Sequence, residues 1–168
     1  MKTIISILSI LLIFNQQEPL SKIATIKAPQ NIDKVSTAQI VAYEKANFKY
    51  LSSTRNLKHV YKVGGVIIGF EDYNRPAGYD ISLEDYKERI LGEVEQIERR
   101  KTKESVDIVS FNNTKFLIRK VVRDEEYCYY FVSETKKNSG IKGGIRFKKA
   151  DLSKAHKLLD ELLKSIKF

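Results

Sequence analysis

The sequence predicts an α+β domain: an antiparallel β-sheet packed by helices and ending in a C-terminal amphipathic helix. Three observations carry this. Leu83, Tyr86, Ile90, Val94 and Ile97 recur at spacings of 3, 4, 4 and 3, one stripe of a helix. From Ser105 to Lys148 the chain runs through strand-like segments separated by turn residues, with no helical periodicity. From Leu152 onward, Ala155, Leu158, Leu159, Leu162, Leu163 and Ile166 form a second continuous apolar stripe.

The elements follow in order. Met1-Lys2, the uncharged run Thr3 to Phe14 and polar Asn15, Gln16 and Gln17 have the layout of a secretory signal, which predicts export and removal near residue 17. The apolar run is shorter than the ~20 residues a membrane-spanning helix needs. Residues 18–33 read as an exposed leader, and residues 34–168 as one domain. Ser36 to Ala46 suits a short helix, while Phe48 to Thr54 favours a strand. Val60 to Phe70 is rich in strand formers, with Gly64-Gly65 marking a bulge or bend. Asn74 to Gly78 is a loop. Ser82 and Asp85 open the first amphipathic helix, whose Gly92 suggests close packing. Strands are expected at Ser105–Ser110, Lys115–Arg123, Tyr127–Glu134 and Ile141–Lys148. Their turns are Asn112-Asn113, Asp124–Glu126 and Lys136–Gly140, and Asp151 or Ser153 opens the last helix.

This order of elements resembles the PsbP-like family of small α/β/α sandwich proteins. The resemblance runs from Ile81 to Phe168 and includes the closing segment Leu162 to Phe168 (LLKSIKF). It implies a sheet between helical layers and a non-catalytic accessory or binding role. It implies no cofactor, and the family shares no catalytic motif to place on these residues.

Composition narrows the chemistry. The 168 residues are 42% hydrophobic and 30% charged, so the chain can build a core. One cysteine excludes an internal disulfide, and with two histidines it is too few for a thiolate-rich zinc site. His59 and His156 read as structural, and Cys128 as a small apolar side chain without an activating base. The glycine pairs 64–65 and 143–144 match no phosphate-binding loop. No enzyme is expected.

The net charge is +9, and all of it falls after residue 98: residues 1–98 hold 12 basic and 12 acidic side chains, residues 99–168 hold 18 and 9. Such a bias suits an anionic partner. If a three-residue loop joins the second and third of these strands and a four-residue loop the next pair, strand alternation puts Arg119, Arg123, Lys142, Arg146 and Lys148 on one face around Tyr127, Tyr129 and Phe131. Ile118, Val122, Cys128, Tyr130, Val132, Ile141, Ile145 and Phe147 then form the opposite, apolar face. A one-residue slip would invert a strand.

Arginine and aromatic side chains together make favourable interface anchors. The expected role is therefore that of an exported, periplasmic or secreted, non-catalytic protein. Arg119, Arg123, Tyr127, Tyr129, Lys142, Arg146 and Lys148 would meet an acidic protein partner in the cell envelope, a toxin-neutralising immunity protein being one specific form. Export argues against nucleic acid, and a membrane surface is the weaker anionic candidate. The alternative is a small-molecule or lipid-headgroup binding protein, or a hydrolase, with a pocket between sheet and helix at Tyr130 or Cys128. A cavity of about 300 Å³ or more with several polar groups would favour that alternative.

Overall fold

The computed structural model describes residues 19–28, 33–50, 53–75, 81–97 and 102–168. The segment read as an export signal lies outside them, as does the expected helix end at Arg99-Arg100. Seven strands form one antiparallel sheet: β1 (Asp33–Lys34), β2 (His59–Val63), β3 (Val66–Asn74), β4 (Thr102–Phe111), β5 (Thr114–Arg123), β6 (Glu126–Ser133) and β7 (Ser139–Lys148). Their spatial order is β1-β2-β3-β7-β6-β5-β4, so two meanders meet along the β3–β7 seam. The helices are α1 (Thr37–Asn47), α2 (Leu83–Ile97) and α3 (Leu152–Ser165). The result is the expected α+β sandwich ending in a helix.

Local chemistry sets the boundaries. Ser36 caps α1 in a capping box with Gln39, each side chain bonding the other's backbone amide. Ser82 Oγ accepts the Asp85 amide at 3.0 Å at the start of α2. Tight turns at Asn112-Asn113 and Lys137-Asn138 use four residues at positive φ, where asparagine is well tolerated. Gly64, at φ 60°, turns β2 directly into β3, so of the expected bulge or bend it is the bend, a hairpin turn, that forms.

One face of the sheet packs on α3. Phe70, Phe116, Ile141, Ile145 and Phe147 interlock with Ala155, Leu158, Leu159, Leu162, Leu163 and Ile166, all buried. The leader expected to be exposed joins this core: Leu20, Ile23, Ala24 and Ile26 pack against it, and Thr25 exchanges backbone hydrogen bonds with Lys167. The antiparallel bridge from Thr25 to Lys167, just past α3, holds these apolar side chains against the core.

The other face carries two separate covers. Ile40 and Phe48, from α1 and the residue after it, pack on Val60 and Ile67. At the far side, Leu83 and Ile90 of α2 pack on Val106 and Leu117. Among the described residues of Phe48 to Thr54, the expected strand is not formed. Phe48 ends α1, and Ser53–Asn56 form a 3-10 turn. The amides of Lys49 and Tyr50 are bonded to the Glu126 carboxylate rather than to a neighbouring strand. Gly92 needs no close packing, because a Cβ there would meet nothing within 4 Å.

The strand register departs from expectation at both ends of β6. Arg123 pairs with Glu126 across a two-residue turn, not with Tyr127. At the other end, Lys136 pairs with Ser139 while Val132 pairs with Lys142, so three residues of one strand face two of the next. The extra residue is a bulge, within which Ser133 Oγ accepts the Ile141 amide at 3.0 Å. The two slips compensate, leaving β5 and β7 in their expected phase. Only β6 is inverted. Tyr127, Tyr129 and Phe131 face α3, while Cys128, Tyr130 and Val132 take their place among the cations.

Candidate functional site

The pairings define rows across the face opposite α3. One row runs Gly69–Gly144–Tyr130–Arg119–Val106, and the next Glu71–Lys142–Val132–Leu117–Ile108. Between the α1 cover and α2, the middle of these rows is open. The opening is a cleft of about 610 Å³.

Its floor is Arg119, Tyr130, Val132, Leu117 and Lys142. Thr54, Asn56 and Leu57 form one wall, Ile81, Tyr86, Arg89 and Ile90 the other, and Tyr73 and Arg75 close one end. Glycine seats the first wall. A Cβ on Gly144 would lie 2.8 Å from Thr54 Cγ2, and one on its cross-strand partner Gly69 would lie 3.0 Å from Leu57 Cδ1. Two adjacent residues without side chains thus let the 3-10 turn rest on the sheet.

The basic side chains of the floor are paired with carboxylates. Glu104 Oε2 accepts from Arg119 Nε at 2.8 Å and lies 2.7 Å from Nη2; its side chain is only 6% exposed. Nη1 of Arg119 has no hydrogen-bond partner among the described residues. Lys142 Nζ meets Glu71 Oε1 at 3.1 Å, and the other oxygen of Glu71 accepts the Lys58 amide at 3.2 Å. At the closed end, Arg75 donates to the Ile81 carbonyl. Burial pushes the Tyr73 phenol above its usual 10.0, an effect that neighbouring Arg75 opposes. Tyr73 donates to the Ser133 carbonyl at 2.8 Å. The lining holds four basic side chains, Arg75, Arg89, Arg119 and Lys142, and one acidic, Glu71.

The seven residues expected on one surface divide. Arg119 and Lys142 line the cleft. Arg123 and Lys148 share its face but lie beyond it, where the Arg123 guanidinium sits 3.7 Å from the Tyr50 ring centroid. Arg146 is internal at 2% exposure, bonded to Glu44 at 3.1 Å and Glu126 at 3.0 Å, with its guanidinium 4.1 Å from the Phe48 ring centroid. Tyr127 and Tyr129 are on the opposite face. Tyr127 stacks on Phe147 at 5.2 Å, and Tyr129 shares a 3.2 Å hydrogen bond with His156. The aromatic partners of the cleft cations are instead Tyr73, Tyr86 and Tyr130. Arg75 and Arg89 come from separate elements and had no sequence pattern to announce them. Of the two residues expected in a pocket, Tyr130 lines it; Cys128 is half-buried one row away, opposite Arg146. Among the described residues, no group of three or more His, Cys, Asp or Glu side chains is placed to hold a metal ion.

No family model matches the chain. No curated protein matches it either. Among solved structures, the solution structure of cyanobacterial PsbP (CyanoP) from Synechocystis sp. PCC 6803 is similar, with a TM-score of 0.50 over 84% of both chains. The chain is PsbP-like in fold. At 11% sequence identity this likeness concerns the fold alone, and the cleft is a matter for this chain's own residues.

Proposed function

We propose that this protein is a non-catalytic, exported binding protein that takes an anionic ligand in the cleft between the 3-10 turn and α2. The observation that carries the reading is the cleft itself: about 610 Å³, lined by four basic residues and one acidic, with Arg119 paired to Glu104 and Lys142 to Glu71 of the lining. Its size is that of small-molecule sites, which combine apolar walls with a few placed polar groups. Pre-fixed cations bind without first losing side-chain freedom. The flat acidic-partner surface expected from alternation has less support, since Tyr127, Tyr129 and Arg146 are turned inward or buried. Lys49 and Lys149 also pair with Asp124 and Glu125, which offset their charge.

Amide NMR tests the site with anilinonaphthalene sulfonate, an aromatic anion, as probe. Saturable shifts at Arg119, Tyr130, Lys142 and Gly143 are expected. Unsaturable shifts spread over the exposed lysines of α3 would overturn the assignment. Export is tested separately, by fractionating the cells that make the protein and sequencing its N-terminus. A start near residue 18 in the envelope fraction is expected, and an intact Met1 in the cytosol contradicts it.

A further inference from the structure

Resting on that reading, we infer that the ligand is an amphiphile: one anionic head, carboxylate or phosphate, joined to an apolar body that fills the cleft. Volume is the first argument. At about 30 Å³ per water, 610 Å³ of cleft corresponds to roughly twenty waters, far more than a bare ion displaces. An occupant that empties the site has on the order of twenty heavy atoms.

The division of the lining is the second argument. Cations stand at two places on the floor, Arg119 on β5 and Lys142 on β7, with the β6 side chains Tyr130 and Val132 between them. Each cation spends part of its donor set on one carboxylate and keeps the rest. Arg119 retains Nη1, and Lys142 has Glu71 as its sole partner among the described residues. Beside them, the partly exposed Leu57 and Ile81 on the two walls and Val132 on the floor offer aliphatic surface. A small hydrophilic anion would satisfy the cations and leave that surface against water. A neutral alkane would do the reverse. An anion with an alkyl body meets both.

The experiment titrates the full chain with acetate, butanoate, octanoate and dodecanoate below micelle-forming concentration, read by cleft amide shifts. Inorganic phosphate and dodecyl phosphate give the second head group, and dodecyl maltoside the neutral control. Each buried methylene should tighten binding about fourfold, so octanoate to dodecanoate should gain on the order of 100-fold. Lys142→Gln should weaken dodecanoate about tenfold or more without altering dodecyl maltoside. Lys142 is about half exposed, so this change leaves the fold intact; Lys142→Arg, which keeps the charge, should restore binding.

Affinity that stays flat along the series, with acetate as good as dodecanoate, overturns the amphiphile inference and leaves the anion site standing. No cleft shift with any probe overturns both. Dodecyl maltoside binding as well as dodecanoate, with Lys142→Gln silent, overturns the anion reading and leaves an apolar groove. Vesicles of phosphatidylglycerol distinguish the source. Co-sedimentation that Lys142→Gln abolishes supports a ligand drawn from a bilayer, and binding of free dodecanoate alone supports a dissolved one.

Discussion

Replacing Arg146 by leucine should remove a large part of the stability of this domain. The Arg146 side chain is 2% exposed and Glu44 is 0% exposed, and they meet at 3.1 Å. Glu126, 14% exposed, meets the other guanidinium nitrogen at 3.0 Å. Leucine leaves the Glu44 carboxylate inside the protein with no counter-charge, and one of its oxygens already lacks a hydrogen-bond partner among the described residues. Losing one member of a buried pair costs about 3–5 kcal/mol. The lost stacking on Phe48 adds roughly 1 kcal/mol more. For a chain of this size each kcal/mol moves Tm by about 2–4 °C, so the fall should be roughly 8–24 °C. Thermal unfolding followed by circular dichroism measures it, and urea unfolding gives the free-energy loss. The paired variant Glu44→Leu/Arg146→Leu should recover much of the loss, with a coupling of about 2 kcal/mol or more. A single-variant loss under about 1 kcal/mol, or a double variant no better than additive, would refute the reasoning that Arg146 on β7 and Glu44 on α1 depend on each other as a buried pair.

Gly92→Ala should stabilise α2 by about 0.5–1 kcal/mol, because a helical position with open space around its Cβ gains propensity and loses unfolded-state entropy at no packing cost; a lowered urea midpoint would show that the glycine serves a contact after all. Gly144→Ala should cost about 1–3 kcal/mol and move the cleft wall, since the new methyl meets Thr54 Cγ2 at 2.8 Å and the Tyr129 carbonyl at 3.1 Å; amide shifts restricted to β7, with none at residues 54–57, would contradict this. Burial raises the phenols of Tyr61, Tyr73 and Tyr129 above 10.0. A raised folded value means their contribution is complete below pH 10 and is lost as pH climbs through the folded values. Tyrosinate absorbance should therefore lag behind that of the unfolded chain and rise together with alkaline unfolding, and independent titration of all nine tyrosines near pH 10 in the folded state would disprove it.

How much of this could be read in advance depended on whether a segment carried its own pattern. β7 alternates cationic and apolar side chains, and the two slips at the ends of β6 cancel, so Arg119, Arg123, Lys142, Arg146 and Lys148 fell on one face as expected. β6 does not alternate: Tyr127 to Val132 is apolar or aromatic at every position, so its phase was set only by the two turns. One turn has a residue fewer than assigned, and the bulge beside Ser133 absorbs a residue of the other. Phe48 to Thr54 looked like a strand because its aromatic and β-branched residues suit one. Its partners include a carboxylate on β6, 76 and 77 positions away, and Gly144, still more distant in the chain. The cleft was illegible for the same reason. It exists where two covers fail to meet, and no stretch of sequence encodes a gap.

The Thr25–Lys167 pairing fixes a direction. Residues 19–28 run along α3, and the cleft opens on the opposite face of the sheet. The described start of the chain therefore lies on the α3 side of the sheet, behind the cleft. A chain tethered or captured at that end would turn its back to the anchor and its mouth to the surroundings, with the ligand approach unobstructed. A tag joined on that side should leave titrations of the cleft undisturbed.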